Sequence, residues 1–216
     1  MLEKMGDFFD ARLDSYDRHM LEDIEGAAEF YPFTAKQLPM SRSACVLDLG
    51  CGTGLELEYY FGLNSTASVT GIDLAPGMLE TLRGKLLGKD VSLIQGSYFD
   101  VPFGEKVYDA AVSVESLHHF TVAEKLPLYT KLHAAIKDNG YFILTDYFAG
   151  SDEEEIHFRS ELRRIKADEG IMDDTLYHFD TPMTVAHEIE ALLNAGFSSV
   201  NILSSWGATH TLKAYK

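Results

Sequence analysis

Residues 46–54 read Val-Leu-Asp-Leu-Gly-Cys-Gly-Thr-Gly, an apolar run that reaches an acidic residue and then places glycine at every second position. Beyond it, Leu55-Glu56-Leu57-Glu58-Tyr59-Tyr60 has helical character. A strand that passes through glycines directly into a helix brings main chain close to a nucleotide-like ligand, since the absence of a Cβ permits the approach. The spacing then decides which ligand. A dinucleotide fingerprint needs G-x-G-x-x-G, and Leu55 stands where its third glycine belongs. A triphosphate loop needs a Lys-Ser or Lys-Thr pair after the glycines, and none follows. Nicotinamide, flavin and nucleoside triphosphate sites are therefore disfavoured.

From residue 44 onward, strand patterns over 45–49, 68–72, 91–95, 108–114 and 141–147 alternate with helical patterns over 55–61, 77–87 and 122–136. Such alternation predicts an α/β fold, a doubly wound parallel sheet with helices on both faces. A helix over 182–195, ended by Gly196, and strands over 200–203 and 210–215 complete it. The 216 residues, 46% of them hydrophobic, suit one soluble globular domain. Two segments lie outside the alternation: 1–40, read as an N-terminal helical cap, and 151–180, read as a helical lid insertion. Ligands of open α/β sheets sit beyond the carboxyl ends of the strands, so both segments are placed to close over one and to set acceptor specificity. The acidic run Asp152-Glu153-Glu154-Glu155 within the second also suits a solvated helix start.

No apolar run approaches the ~20 residues of a membrane span, and the charged start Met1-Leu2-Glu3-Lys4 does not suit a signal peptide. No membrane contact and a cytoplasmic address are expected. Cys45 and Cys51 are expected to be reduced, small and apolar. A net charge of −16 disfavours nucleic acid as substrate, although Arg159, Arg163, Arg164 and Lys166 form a local basic patch that could hold a tRNA loop.

Asp73 ends the second strand pattern, about 20 residues past the glycines, where a carboxylate can accept both hydroxyl protons of a ribose. Together with Asp48, Gly50, Cys51, Gly52 and Gly54 it resembles motif I and its partner acid in the class I S-adenosylmethionine-dependent methyltransferases, whose first motif is D/E-x-G-x-G-x-G. The resemblance spans most of the chain and implies a Rossmann-like seven-stranded sheet, mostly parallel with an antiparallel last strand. Asp73-Leu74-Ala75-Pro76-Gly77-Met78-Leu79 is similar to the family's D-x-S-x-x-M-L, which implies that Leu74 and Met78 flank the adenine. Gln95-Gly96-Ser97-Tyr98 is similar to its G-D-A segment, with Ser97 at the adenine-binding acid and Tyr98 at a small residue. The hydroxyl of Ser97 can still accept a hydrogen bond from the adenine amino group. Tyr108-Asp109 through Leu117-His118-His119 resembles motif IV, which implies main-chain contacts near Val114 and Glu115 to the methionine amino group and an acceptor-pocket floor at His118 and His119. Tyr16 resembles the tyrosine that folds over the cofactor in related enzymes.

The implied reaction moves a methyl group from S-adenosylmethionine to a small-molecule acceptor, leaving S-adenosylhomocysteine. Displacement at a sulfonium needs alignment and desolvation before it needs a base. His118 is the candidate general base, with an orienting role as the alternative; Tyr147, Tyr177 and His178 are further pocket candidates. No metal is expected, because the adjacent histidines diverge on a regular backbone and no third ligand stands at metal spacing. Three readings compete. A relative of carboxy-S-adenosylmethionine synthase is suggested by the similar ending from Asp180 to Lys216, without the arginine that family places upstream; a tRNA-modification enzyme stands beside it. A non-catalytic S-adenosylmethionine-binding protein would lack an acceptor pocket. Monomer and homodimer both stay open.

Overall fold

The computed structural model describes residues 1–173 and 175–216. Three helices, α1 (Met5–Asp10), α2 (Leu13–Glu22) and α3 (Ala27–Gln37), precede the first strand. The chain then alternates β1 (Cys45–Leu49), α4 (Leu55–Leu63), β2 (Ser68–Asp73), α5 (Pro76–Lys85), β3 (Asp90–Gln95), β4 (Tyr108–Val114), α6 (Val122–Ala135) and β5 (Ile136–Tyr147). It ends with α7 (Asp152–Asp168), α8 (Val185–Asn194), β6 (Ser199–Trp206) and β7 (Thr209–Tyr215). The seven strands form one sheet in the order β3-β2-β1-β4-β5-β7-β6. Every pairing from β3 to β5 is parallel, and β7 runs antiparallel to both β5 and β6.

Alternation along each central strand divides the core in two. Leu47 and Leu49 of β1 face the cluster built with Leu128, Tyr129 and Leu132 of α6 and Leu192 of α8. Val46 faces the opposite cluster, with Phe30 of α3, Leu57, Tyr60 and Phe61 of α4, and Leu82 of α5. The same period of two turns Asp48 to the α4 side, away from the strand end. Two-sided burial explains why β1 and β4 have the near-continuous apolar character of parallel strands.

The bounds of β1 and β4 match the sequence reading. Strand β5 begins at Ile136 rather than 141, because α6 runs directly into a strand whose pairing shifts between Tyr108 and Ala110. The α6 start is closed by a capping box between Thr121 and Glu124. A chain reversal at 207–208 joins β6 to β7, and this hairpin docks on α3 through Trp206, whose Nε1 donates to Glu29 at 3.0 Å. No helix among the described residues is long and apolar enough to cross a membrane.

Candidate active site

The carboxyl ends of β1, β2, β4 and β5 converge at one end of the sheet, where the glycine turn after β1 forms the floor of a cleft. Gly50 and Cys51 both donate to the Ile72 carbonyl, at 2.9 and 3.2 Å, which folds the turn back over β2. Gly50 has φ +74°, and a Cβ there would lie 2.1 Å from Ser116 Oγ. Gly54 has φ +76°, with Leu82 packed against it. Both the left-handed backbone and the contact require glycine.

Asp73 closes the other side of the turn. Its Oδ2 accepts from the Gly52 amide and its Oδ1 from the Ala75 amide, each at 2.9 Å. Burial raises its pKa, opposed by these backbone donors. The two bonds fix the carboxylate while each oxygen keeps a lone pair for a further donor. Tyr16, Gly50, Gly52, Asp73, Leu74, Met78, Tyr98 and Glu115 line one narrow cleft together with Met5, Phe9, Ser116 and His119. Thus eight of the thirteen candidate cofactor residues meet in one place.

The remaining five stand apart from that wall. Asp48 is fully buried under α4, against Glu56, and Cys51 packs toward Gly71 behind the turn. Gly54 starts α4 and Val114 is buried at the end of β4. Ser97 lines an adjoining cavity with Leu74, Phe99 and Lys131, and its Oγ accepts from the Phe99 amide at 3.2 Å. Strand alternation and local turns decide which of the motif residues face the cleft.

The cap is fastened to this cradle. Asp17 of α2 accepts from Thr53 Oγ1 in the glycine turn and pairs with Lys85 of α5, each at 2.5 Å. Met5 donates to the Leu176 carbonyl and His178 to that of Glu3, both at 2.9 Å, so α1 and the segment 175–178 form one strap. Phe8 stacks on His178 with ring centroids 3.5 Å apart.

Beyond the strap lies a cavity of about 810 Å³, bordered by α1, α2, His118, His119, Tyr147, His178, Asp180 and the β6–β7 turn. Phe9, Tyr16, Glu115 and His119 line both this cavity and the narrow cleft, so the two spaces meet between them. The expected lid is therefore divided. His178 and Asp180 reach the cavity, whereas no residue of α7 lines it, and the four acidic residues of α7 stand in its first turn. Tyr177 also lies outside the cavity wall, bridged to Lys4. On α7, Arg159 pairs with Glu155, and Arg164 with Glu161 and Asp168, so much of the basic patch is neutralised by its own helix.

Charge is concentrated where the spaces join. Glu115 has φ +48°, a conformation rare for a side-chain-bearing residue and characteristic of sites under functional constraint. Its carboxylate accepts from Thr209 Oγ1 at 3.1 Å, and burial together with the Asp146 charge raises its pKa to about 7. Asp146, at the end of β5, holds His118 Nδ1 at 2.6 Å and accepts from the Leu117 amide at 2.9 Å. Burial opposes the charged form of His118, but Asp146 outweighs it and lifts the pKa to about 9. Burial and the His118 charge lower His119 to about 4. Asp180, half-exposed, lies 3.6 Å from His118 Nε2 and 3.1 Å from His119 Nδ1. The sequence argument had no third group beside the histidines, because Asp180 stands far along the chain and reaches them only through the fold. Asp146 was legible in principle as an acid at a strand's carboxyl end; nothing local marks Asp17 or Thr209.

Fold and cleft together define a Rossmann-like α/β protein with a glycine-floored cleft at its strand ends. Residues 46–140 match the family model described as "Methyltransferase domain", and the chain is similar to methyltransferases and to carboxy-S-adenosyl-L-methionine synthases. An uncharacterized methyltransferase of Synechocystis is 32% identical over 124 residues, 57% of each chain, so the match spans less than two thirds of that relative. A carboxy-S-adenosyl-L-methionine synthase of Campylobacter fetus is 26% identical over 187 residues, 82% of this chain and 79% of its own. Among solved structures, the DhpI complex with S-adenosylhomocysteine aligns over 96% of this chain and 93% of its own with a TM-score of 0.72 at 17% identity. A Nostoc punctiforme protein assigned to the O-methyltransferases aligns over 99% of this chain and 62% of its own, with a TM-score of 0.71 at 24% identity. At these identities the structural likenesses describe the fold.

Proposed function

We propose that the protein transfers the methyl group of S-adenosylmethionine to a small molecule held in the 810 Å³ cavity. One observation carries the reading: the cleft formed by the glycine turn and Asp73 opens into that cavity between Tyr16, Glu115 and His119. Asp73 would take the ribose hydroxyls, Leu74 and Met78 the adenine, and Tyr16 would cover the cofactor. The main chain near Glu115 would hold the methionine end, which directs the sulfonium methyl toward the cavity. Methyl transfer is then an in-line displacement: the acceptor's lone pair forms the new bond to carbon and the carbon–sulfur pair returns to sulfur. Enclosure by the strap and alignment across the junction supply the positioning and water exclusion this step needs. Buried His118, held by Asp146, borders the acceptor.

The cavity speaks against a protein that only stores the cofactor, which would need no acceptor space. A carboxy-S-adenosylmethionine synthase-like activity is supported by the long Campylobacter match. It requires a cation for the added carboxylate, and among the described residues no arginine or lysine lines the cleft, while Arg12 and Arg18 line the cavity. Calorimetric titration with S-adenosylmethionine tests the cofactor assignment. Asp73→Ala should weaken binding by roughly 1.5–3 kcal/mol, the loss of charge-assisted bonds to two hydroxyls. An unchanged dissociation constant would remove Asp73 from the site.

A further inference from the structure

His118 and His119 leave the end of β4 on a single 3₁₀ turn, Leu117–His119, and Asp180 approaches from the segment before α8. The two segments are tied by the Thr181 amide, which donates to the His118 carbonyl at 2.8 Å. One ligand atom from each of the three side chains lies within 4.8 Å of the others. Asp180 Oδ1 is 3.6 Å from His118 Nε2 and 3.1 Å from His119 Nδ1. Donors about 2.0–2.1 Å from one ion at tetrahedral angles stand about 3.3 Å apart, so these separations bracket the requirement.

Both histidines are buried, and their surroundings prepare them for a cation. His118 gives Nδ1 to Asp146, which leaves Nε2 turned toward Asp180. A carboxylate behind a metal-binding imidazole fixes ring orientation in this way. Asp146 is itself satisfied by the Leu117 and Tyr147 amides, so it supports the ring from behind. Asp180 Oδ1 is buried without an aligned hydrogen bond. His119 Nδ1 faces it and the Phe179 carbonyl, at 3.3 Å, together. Asp146, Asp180 and Glu115 bring three carboxylates to this corner, and among the described residues no lysine or arginine forms an ion pair with any of them.

We propose that His118, His119 and Asp180 bind one divalent transition-metal ion, open on the side of the acceptor cavity. Two imidazoles and one carboxylate suit Zn²⁺, Fe²⁺ or Co²⁺ and leave coordination positions vacant. The cavity they face, which His178 and Tyr147 also line, provides those positions. An acceptor with a hydroxyl or carboxylate oxygen is the class such an ion takes, and a bound cation favours the ionised oxygen. That use of the ion rests on the methyl-transfer reading; the binding of the ion does not.

The test is titration of the whole purified chain with Co²⁺, in the absence of S-adenosylmethionine, followed by visible ligand-field absorption and equilibrium dialysis. One equivalent should bind and be displaced by Zn²⁺. Asp180→Ala changes a side chain that is 43% exposed, so its fold is retained, as circular dichroism will verify, and stoichiometric binding should disappear. His119→Ala should behave alike. Asp146→Asn keeps all three ligands and should weaken binding about 10- to 100-fold through the altered support of His118. Failure to bind one equivalent, or binding unchanged in both Asp180→Ala and His119→Ala, overturns the site. Because no cofactor is present, neither outcome depends on the methyltransferase assignment.

Discussion

Asp48→Asn isolates an effect of folding on a proton. The Asp48 carboxylate is fully buried, and both of its oxygens lack a hydrogen-bond donor among the described residues. Its neighbour is the buried carboxyl of Glu56, on the first turn of α4. Two carboxyl groups bond to each other only through a proton, and burial followed by the Glu56 charge pushes the Asp48 pKa well up. The folded chain therefore keeps a proton that the unfolded chain releases above its ordinary carboxyl pKa near 4. Because the native state binds more protons in that window, stability falls as pH rises, by about 1.4 kcal/mol per pH unit for one retained proton. Asparagine preserves the shape, removes the like charge and offers an amide donor to Glu56, which can then ionise near Lys85 and the α4 N-terminus. Urea unfolding by circular dichroism at pH 5, 6 and 7 should show a wild-type slope that the variant lacks. Other titrating groups are common to both chains and cancel in the difference. Parallel stability curves for the two proteins would refute the shared-proton argument.

Two further changes probe the scaffold and the cradle. Glu188→Ala strands Lys125, whose ammonium is buried and lies 2.6 Å from the Glu188 carboxylate, and it also removes the partner of Tyr129; denaturant unfolding should report a loss of about 3–5 kcal/mol. Gly50→Ala forces a Cβ against Ser116 and imposes left-handed backbone costing roughly 1–2 kcal/mol, so a stability loss of at least that size should accompany lost cofactor binding in calorimetry.

The contrast between β1 and the acceptor corner shows what the sequence makes legible. Val46 through Gly54 announces a strand, its limits and a ligand turn, because β-propensity, glycine spacing and the following helix are all local signals. Asp73 was readable for the same reason, as an acid at the end of the next parallel strand. Asp48 carries the same motif, yet its direction depends on strand alternation and on what α4 presents, so its burial against Glu56 appears only in the fold. Asp180, Asp17 and Thr209 reach the site through tertiary placement, which no short window encodes. The acidic start of α7 is a local signal of a different kind. Its four acidic residues mark the first turn of a helix, whereas the bonds from Met5 to Leu176 and from His178 to Glu3 depend on the fold alone.

The most direct test of the central claim is calorimetry of freshly purified protein against S-adenosylmethionine, S-adenosylhomocysteine and NAD, with mass spectrometry of any ligand carried through purification. The account predicts one S-adenosyl ligand per chain, bound or co-purified, and no binding of NAD. Binding of NAD in its place, or no binding of either S-adenosyl compound to a demonstrably empty protein, would contradict it.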